Sequence, residues 1–264
     1  MSTLSLALTD SATMLRRNVK HMLRYPSLTL MLASMPVVFL LLFVYVFGGT
    51  LGNGLGGVDG GGRAAYVNYV APGIILMTVA AAAQGTAISV AMDMTEGIIA
   101  RFRTMAIARV SVLTGHVVGS LLQTLFSMVI VVGVALLVGF RPNATPIEWL
   151  ATLGVLAMIT FALIWLSVAL GLAAKTVEAA SNYPMPLIIL PFLGSGFVPT
   201  DSMPAWLRAF ADYQPFTPFI ETVRGLLLGT PIGNSALFAI GWSVVIALAS
   251  YLWARRLFNR DPSR

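Results

Sequence analysis

Asp93–Arg109 reads DMTEGIIARFRTMAIAR, and its five charges, Asp93, Glu96, Arg101, Arg103 and Arg109, stand in a chain that is otherwise mostly apolar. The flanks, Ala64–Met92 and Val110–Phe140, carry no charge and are interrupted only by His116. A charged island of this length cannot lie in hydrocarbon, so it must emerge into water between two membrane spans. Its excess of arginine sets the side on which it emerges.

Composition agrees with that reading. Of the 264 residues, 58% are hydrophobic and 10% are charged, against about 25% charged in soluble domains. The mean hydropathy is +0.87. This is the profile of one integral membrane domain without a sizeable soluble one. The net charge of +6 would suggest nucleic acid in a soluble protein. Here the basic residues collect at span ends, where they mark topology and meet lipid headgroups, and no nucleic-acid role is expected. The chain has no cysteine, which excludes disulfides, thiolate metal sites and cysteine nucleophiles.

Hydropathy predicts six spans of about the ~20 residues that a bilayer requires: Leu28–Phe47, Tyr66–Met92, Leu113–Val138, Trp149–Ala174, Asn182–Val198 and Ala236–Ala254. Leu28–Phe47 is too long for a signal-peptide core and reads as a retained first helix. Before it, residues 1–27 form a cytoplasmic N-terminus. Within that segment Thr9–Tyr25 alternates an apolar arc (Ala12, Leu15, Val19, Met22, Leu23) with a basic one (Arg16, Arg17, Lys20, His21, Arg24), the pattern of an interfacial helix. With this end inside, 12 of the 16 Lys and Arg fall on inner segments. Only Arg63, Arg141, Arg208 and Arg224 fall outside. The expected topology is a multi-pass protein of the cell's inner or plasma membrane, with both termini, including the tail 255–264, in the cytoplasm. The membrane domain is 28–254.

Two segments break the pattern. Gly48–Gly62 reads as a glycine-rich, flexible outer loop. Its formal G-x-G-x-x-G at Gly52, Gly54 and Gly57 is no nucleotide fingerprint, because it follows a span rather than a strand. Residues 200–234 are too polar to span and too apolar for a plain loop. Met203, Trp206, Leu207 and Phe210 suit one face of a short helix, Pro215 and Pro218 break it, and Phe219–Leu228 reads as a second helix closed by Gly229. This predicts a re-entrant hairpin on the outer side between spans five and six. Glu221 and Arg224, three apart, can face each other on that second helix. Pairing inside the hairpin is the favoured reading, and a gate or substrate contact is the other.

Energy conversion is absent from the chain. A phosphate-binding loop needs Gly-Lys, and the only lysines follow Val19 and Ala174. His21 and His116 have no carboxylates at ligand spacing, so no metal site is expected, and Gly194-Ser195-Gly196 is not a nucleophile elbow. No span carries a mid-membrane acid, lysine or arginine. The polar span residues are mild. Gln84, Thr86, Gln123, Asn182 and Ser195 are candidates for a translocation path, each with interhelical hydrogen bonding as its plainer role. Pro184, Pro186 and Pro191 predict that span five is kinked or partly broken. No catalytic residue is expected. A six-span protein with no fuel of its own suggests a pump driven by another chain.

Glu96-Gly97, Ala100-Arg101-Phe102-Arg103-Thr104 and Ala108-Arg109 resemble the cytoplasmic loop of ABC-2 type permeases, with Ala100 where that pattern usually has Glu. Met203-Pro204-Ala205-Trp206-Leu207, Gln214-Pro215-Phe216-Thr217-Pro218 and Glu221, Arg224, Gly225 and Gly229 resemble the outer hairpin of the daunorubicin-resistance permease group. The resemblance implies an all-α membrane fold of six transmembrane helices. To these it adds the interfacial N-terminal helix, a cytoplasmic coupling helix between spans two and three, and the outer hairpin. It also implies a homodimer or heterodimer of permeases on two ATP-binding subunits that hold the ATP and Mg, this chain binding no cofactor itself. The expected function is export of an amphipathic drug, antibiotic or lipid-like compound, and the chain is not expected to be an enzyme. Glu96, Gly97, Arg101, Phe102, Arg103, Thr104 and Arg109 would then meet the ATPase subunit, with Ile98, Ile99, Phe102 and Met105 as an apolar strip. An intramembrane lipid-modifying enzyme, or a scaffold or sensor that no longer transports, are the competing classes. The first would need a catalytic cluster near one interface, which the sequence does not contain.

Overall fold

The computed structural model describes residues 26–55, 61–95 and 109–258, the last from 116 onward with side chains. The interfacial helix expected over Thr9–Tyr25, the stretch Glu96–Ala108 and the end of the tail lie outside the described residues. Every regular element of the described residues is helical. In chain order they are α1 (Pro26–Leu42), α2 (Gly48–Gly54), α3 (Gly62–Thr95), α4 (Arg109–Val138), α5 (Pro146–Ala173), α6 (Val177–Asn182), α7 (Met185–Ile189), α8 (Ala205–Tyr213), α9 (Phe216–Leu228) and α10 (Ser235–Phe258).

Among the described residues, five helical runs are long and apolar enough to cross a membrane: Thr29–Gly54, Gly62–Thr95, His116–Val138, Pro146–Ala173 and Ser235–Phe258. The sixth expected span, Asn182–Val198, is not a continuous helix. It holds the end of α6, five residues of α7 and then turns. The reason is local. Pro184, Pro186 and Pro191 each remove a backbone donor, and Gly194 and Gly196 add little helix propensity.

The first run also departs from expectation. Instead of ending at Phe47, it passes through a π-helical turn, Phe43–Phe47, and continues as α2 to Gly54. Half of the expected glycine-rich loop is therefore helix. Gly52 packs so closely on the backbone of Gly62 that a Cβ there would collide with it, which pins α2 to the start of α3.

The helix α3 is the axis of the molecule. Nineteen of its residues are buried, from Tyr66 to Ala91, and α1, α4, α5, α6, α7 and α9 pack on it. A run that is apolar all round is the signature of a helix enclosed by others. The principal core joins the first two-thirds of α3 to α1, the π-helical turn, α4 and α9 through Leu40, Val44, Val131, Phe216, Phe219 and Ile220. A second cluster at its C-terminal end joins Val90 to Val117, Trp165, Val168, Ala254 and Phe258. By contrast, α1 and α10 expose rows of large apolar side chains, among them Met31, Met35 and Val38 on α1 and Leu237, Phe238 and Val245 on α10. In water such faces would associate; hydrocarbon is their proper solvent.

Local chemistry sets several helix ends. Thr145 and Glu148 form a reciprocal capping box at the start of α5, with Pro146 at the first helical position. The sequence Thr-Pro-x-Glu carries that signal, and it starts the helix three residues before the expected Trp149. Gly229 closes α9 in the left-handed region, at φ 72°, where glycine costs least.

Candidate site along the broken segment

Residues 174–199 run antiparallel to α3. Gln84 Nε2 donates to the Ser181 carbonyl at 2.8 Å, Tyr69 Oη to the Ser195 carbonyl at 2.9 Å, and Tyr66 Oη to the Phe197 carbonyl at 3.3 Å. From Gln84 to Tyr66 the helix advances about 27 Å at ~1.5 Å per residue. Between Tyr69 and Gln84 lies Gly73, where a Cβ would meet the Gly196 carbonyl oxygen at 2.6 Å. The two backbones touch there, and glycine on both sides permits it. At ~100° per residue, positions 66, 69, 73 and 84 share one ~60° stripe of α3.

A segment without regular helix leaves carbonyls that hydrocarbon cannot satisfy. In this chain side chains supply the donors. Besides the three from α3, Gln214 Nε2 reaches the Leu190 carbonyl at 3.3 Å, and Arg224 Nη2 reaches the Ser195 carbonyl at 2.7 Å. The Ser195 carbonyl thus takes two donors, using both lone pairs.

Arg224 is the centre of this arrangement. Its side chain is 6% exposed. One terminal nitrogen meets Glu221 Oε1 at 2.6 Å. The other serves both Ser195 and the carbonyl of Tyr69, at 3.0 Å, while the guanidinium lies 3.9 Å from the centroid of the Tyr69 ring. The i,i+3 spacing on α9 makes the ion pair, and a planar fork is suited to tie three elements at once. Its Nε has no partner among the described residues, and neither does the buried hydroxyl of Ser195.

Gln214 organises the turn between α8 and α9. Its Oε1 accepts from the amide of Phe216 at 3.0 Å, and its Nε2 also donates to Thr217 Oγ1 at 3.1 Å. Thr217 in turn donates to the Ala211 carbonyl at 2.5 Å. Pro215 occupies the cap of α9, and Pro218 is buried one turn later. Trp206 is exposed on α8.

The expected path residues are dispersed. Gln84 and Ser195 lie on the broken segment's seam, one through its amide and the other through its backbone. Thr86 is buried and donates to Ala82 within its own helix. Gln123 is half-buried on α4, its carbonyl accepting from Ser127. Asn182 is exposed at the end of α6. Of the island residues, Glu96, Gly97, Arg101, Phe102, Arg103 and Thr104 lie outside the described residues, and Arg109 begins α4.

Two groups escaped the sequence reading. Tyr69 was hidden among apolar neighbours, although its place on the stripe with Tyr66 and Gln84 was readable. His116 Nε2 sits 2.9 Å from Asp93 Oδ2, joining the end of α3 to α4. Their separation of 23 positions carries no ligand-spacing signal. Among the described residues no cluster of three or more His, Asp or Glu is placed to hold a metal ion.

Comparison with known proteins accounts for this architecture. The chain is 27% identical over 226 residues to the daunorubicin resistance ABC transporter permease protein DrrB1 of Streptomyces coeruleorubidus, covering 85% of this chain and 77% of that one. It is 24% identical over 162 residues to a protein of Mycobacterium tuberculosis described as a probable doxorubicin resistance ABC transporter permease, DrrC, covering 61% and 59%. The family model of the ABC-2 type transporter matches residues 10–228. A multi-pass helical chain whose match runs from before the first span to the end of α9 belongs to the ABC-2 type transporter family.

Proposed function

We propose that this chain is the permease subunit of an ATP-binding cassette exporter, moving an amphipathic drug, antibiotic or lipid-like compound outward with ATP hydrolysed elsewhere. The observation that carries this is the family match over residues 10–228 in a chain with no Gly-Lys dipeptide. The resistance permeases it resembles point to the cargo class.

In this reading the segment 174–199 is the sixth crossing. The run from Gln84 to Tyr66 beside it, about 27 Å, compares with a hydrocarbon thickness of ~30 Å. The elements α8 and α9 are the re-entrant hairpin of 200–234, dipping from the outer face. Both termini are cytoplasmic, as the distribution of Lys and Arg favours. Two ATP-binding subunits, each with ATP and Mg, serve a pair of permease chains in a cell membrane. Glu96–Arg109 docks on the ATP-binding subunit, Phe102 and Arg101 being its anchors. Asp93 and His116, at the roots of that stretch, tie together the two helices that would receive its motion.

The test is co-purification and coupling. The full chain alone should hydrolyse no ATP and should recover activity and export only with its ATP-binding partner. Phe102→Ala with Arg101→Ala should insert normally yet bind that partner at least tenfold more weakly, since anchors of this kind carry ~2 kcal/mol or more each. ATP hydrolysis by the isolated chain, or parental assembly and export by the double variant, would each refute the corresponding part.

A further inference from the structure

The helix α8 presents two unlike faces, and both are exposed. Trp206, Phe210 and Tyr213 follow one side at 75%, 47% and 79% exposure. Arg208 and Asp212 follow the opposite side, and Asp201 precedes the helix. Arg208 Nη2 lies 2.5 Å from Asp201 Oδ1, and its Nε lies 3.6 Å from Asp212 Oδ2. All three charged side chains are at least 44% exposed. Leu207 is half-buried and Ala211 is buried, between the two stripes.

The depth of this helix makes its charged face informative. The end of α9 is fixed at the outer rim, where the Leu227 carbonyl accepts from the amide of Asn143 in the α4–α5 connection. From there α9 runs inward to Phe216, its 13 residues spanning at most about 18 Å at ~1.5 Å per residue. At that depth Gln214 bonds Leu190, between the levels of Ser195 and Ser181 on the seam. The start of α9 and the end of α8 are joined side by side through Thr217 and Ala211. Asp212, at the lower end of α8, is therefore well below the rim. An arginine can snorkel to an interface from such a depth, but an aspartate is too short. A half-exposed carboxylate there needs water.

We propose that the Asp201–Arg208–Asp212 face of α8 lines a water-filled vestibule that opens outward and reaches down to Asp212, while the aromatic face meets acyl chains. This deepens the exporter reading and rests on its orientation. The vestibule gives the polar end of an amphipathic compound a hydrated exit lane beside a lipid-facing helix surface.

The absence of native cysteine makes the test clean. Single cysteines are placed at 205, 208 and 212 on the charged side, and at 206, 210 and 213 on the aromatic side, of the full chain in membranes. A membrane-impermeant charged methanethiosulfonate is then added from outside. Asn143→Cys serves as the outer control and Lys175→Cys as the inner one. Ala205→Cys, Arg208→Cys and Asp212→Cys should react within tenfold of the outer control, and the aromatic-side set at least tenfold more slowly. If Asp212→Cys does not accumulate, Arg208→Cys decides the outcome. Charged-side cysteines as slow as Phe210→Cys, with the outer control reactive, would overturn the vestibule and leave the exporter reading standing. A reactive Lys175→Cys beside a silent Asn143→Cys would overturn the orientation itself.

Discussion

The helix α3 and the segment 174–199 lie side by side over a similar length and solve the same problem in different ways. Hydrocarbon offers no hydrogen bonds, so every backbone group must find a partner within the protein. The helix does this internally, which leaves its side chains free. The broken segment, interrupted by three prolines, borrows its partners from Tyr66, Tyr69, Gln84, Gln214 and Arg224. The lesson concerns the mild polar residues in such spans. In this chain several of them complete the backbone of a neighbour, and a polar position in a span is no sufficient sign of a path.

The comparison breaks most visibly at Arg224. Arg224→Ala leaves Glu221 without its cation and removes one donor from each of two buried carbonyls. Breaking a buried pair in this way costs on the order of 3–5 kcal/mol, a large share of the ~5–15 kcal/mol that holds a domain folded. Monodisperse folded yield in detergent should fall severely. Arg224→Lys should restore little of it, because an ammonium lacks the fork that spans three elements. Parental yield for Arg224→Ala would show that the segment holds without its borrowed donor.

The contact of the two backbones can be sharpened by a pair of alanines. Gly73→Ala places a methyl against the Gly196 carbonyl, and overpacking of this kind costs about 1–3 kcal/mol. Gly85→Ala, twelve positions on in the same helix, meets nothing within 4 Å and should be neutral or stabilising by up to ~1 kcal/mol. Thermal midpoints of the two variants should move in opposite directions or differ clearly. Equal midpoints would mean that the segment gives way at no cost.

The smallest effect is expected at Tyr69. Tyr69→Phe removes its bond to Ser195 yet keeps the ring beside Arg224, and the guanidinium still donates to the same carbonyl. The loss should be about 0.5–1.5 kcal/mol, read as a modest fall in thermal midpoint. A loss equal to that of Arg224→Ala would move the centre of the arrangement from the guanidinium to the phenol.

Much of this protein is decided by local composition. Uninterrupted apolar runs determine five candidate spans, and Pro184, Pro186 and Pro191 determine that residues 182–198 cannot form a plain sixth helix. Pro215 and Gly229 delimit the second hairpin helix, and the spacing of Glu221 and Arg224 determines their pairing. These outcomes depend on a few consecutive residues, because hydropathy, missing donors and helix periodicity act along the chain. Tertiary structure alone decided the rest. It made α3 the buried axis although the other four candidate spans are more apolar, and it carried the first span on to Gly54 by seating Gly52 against Gly62. It brought His116 to Asp93, and it chose which side chains satisfy the unwound carbonyls. Those donors reach carbonyls from 24 to 131 positions away. No window along the sequence contains both partners; the bilayer only requires that such partners exist, and packing selects them.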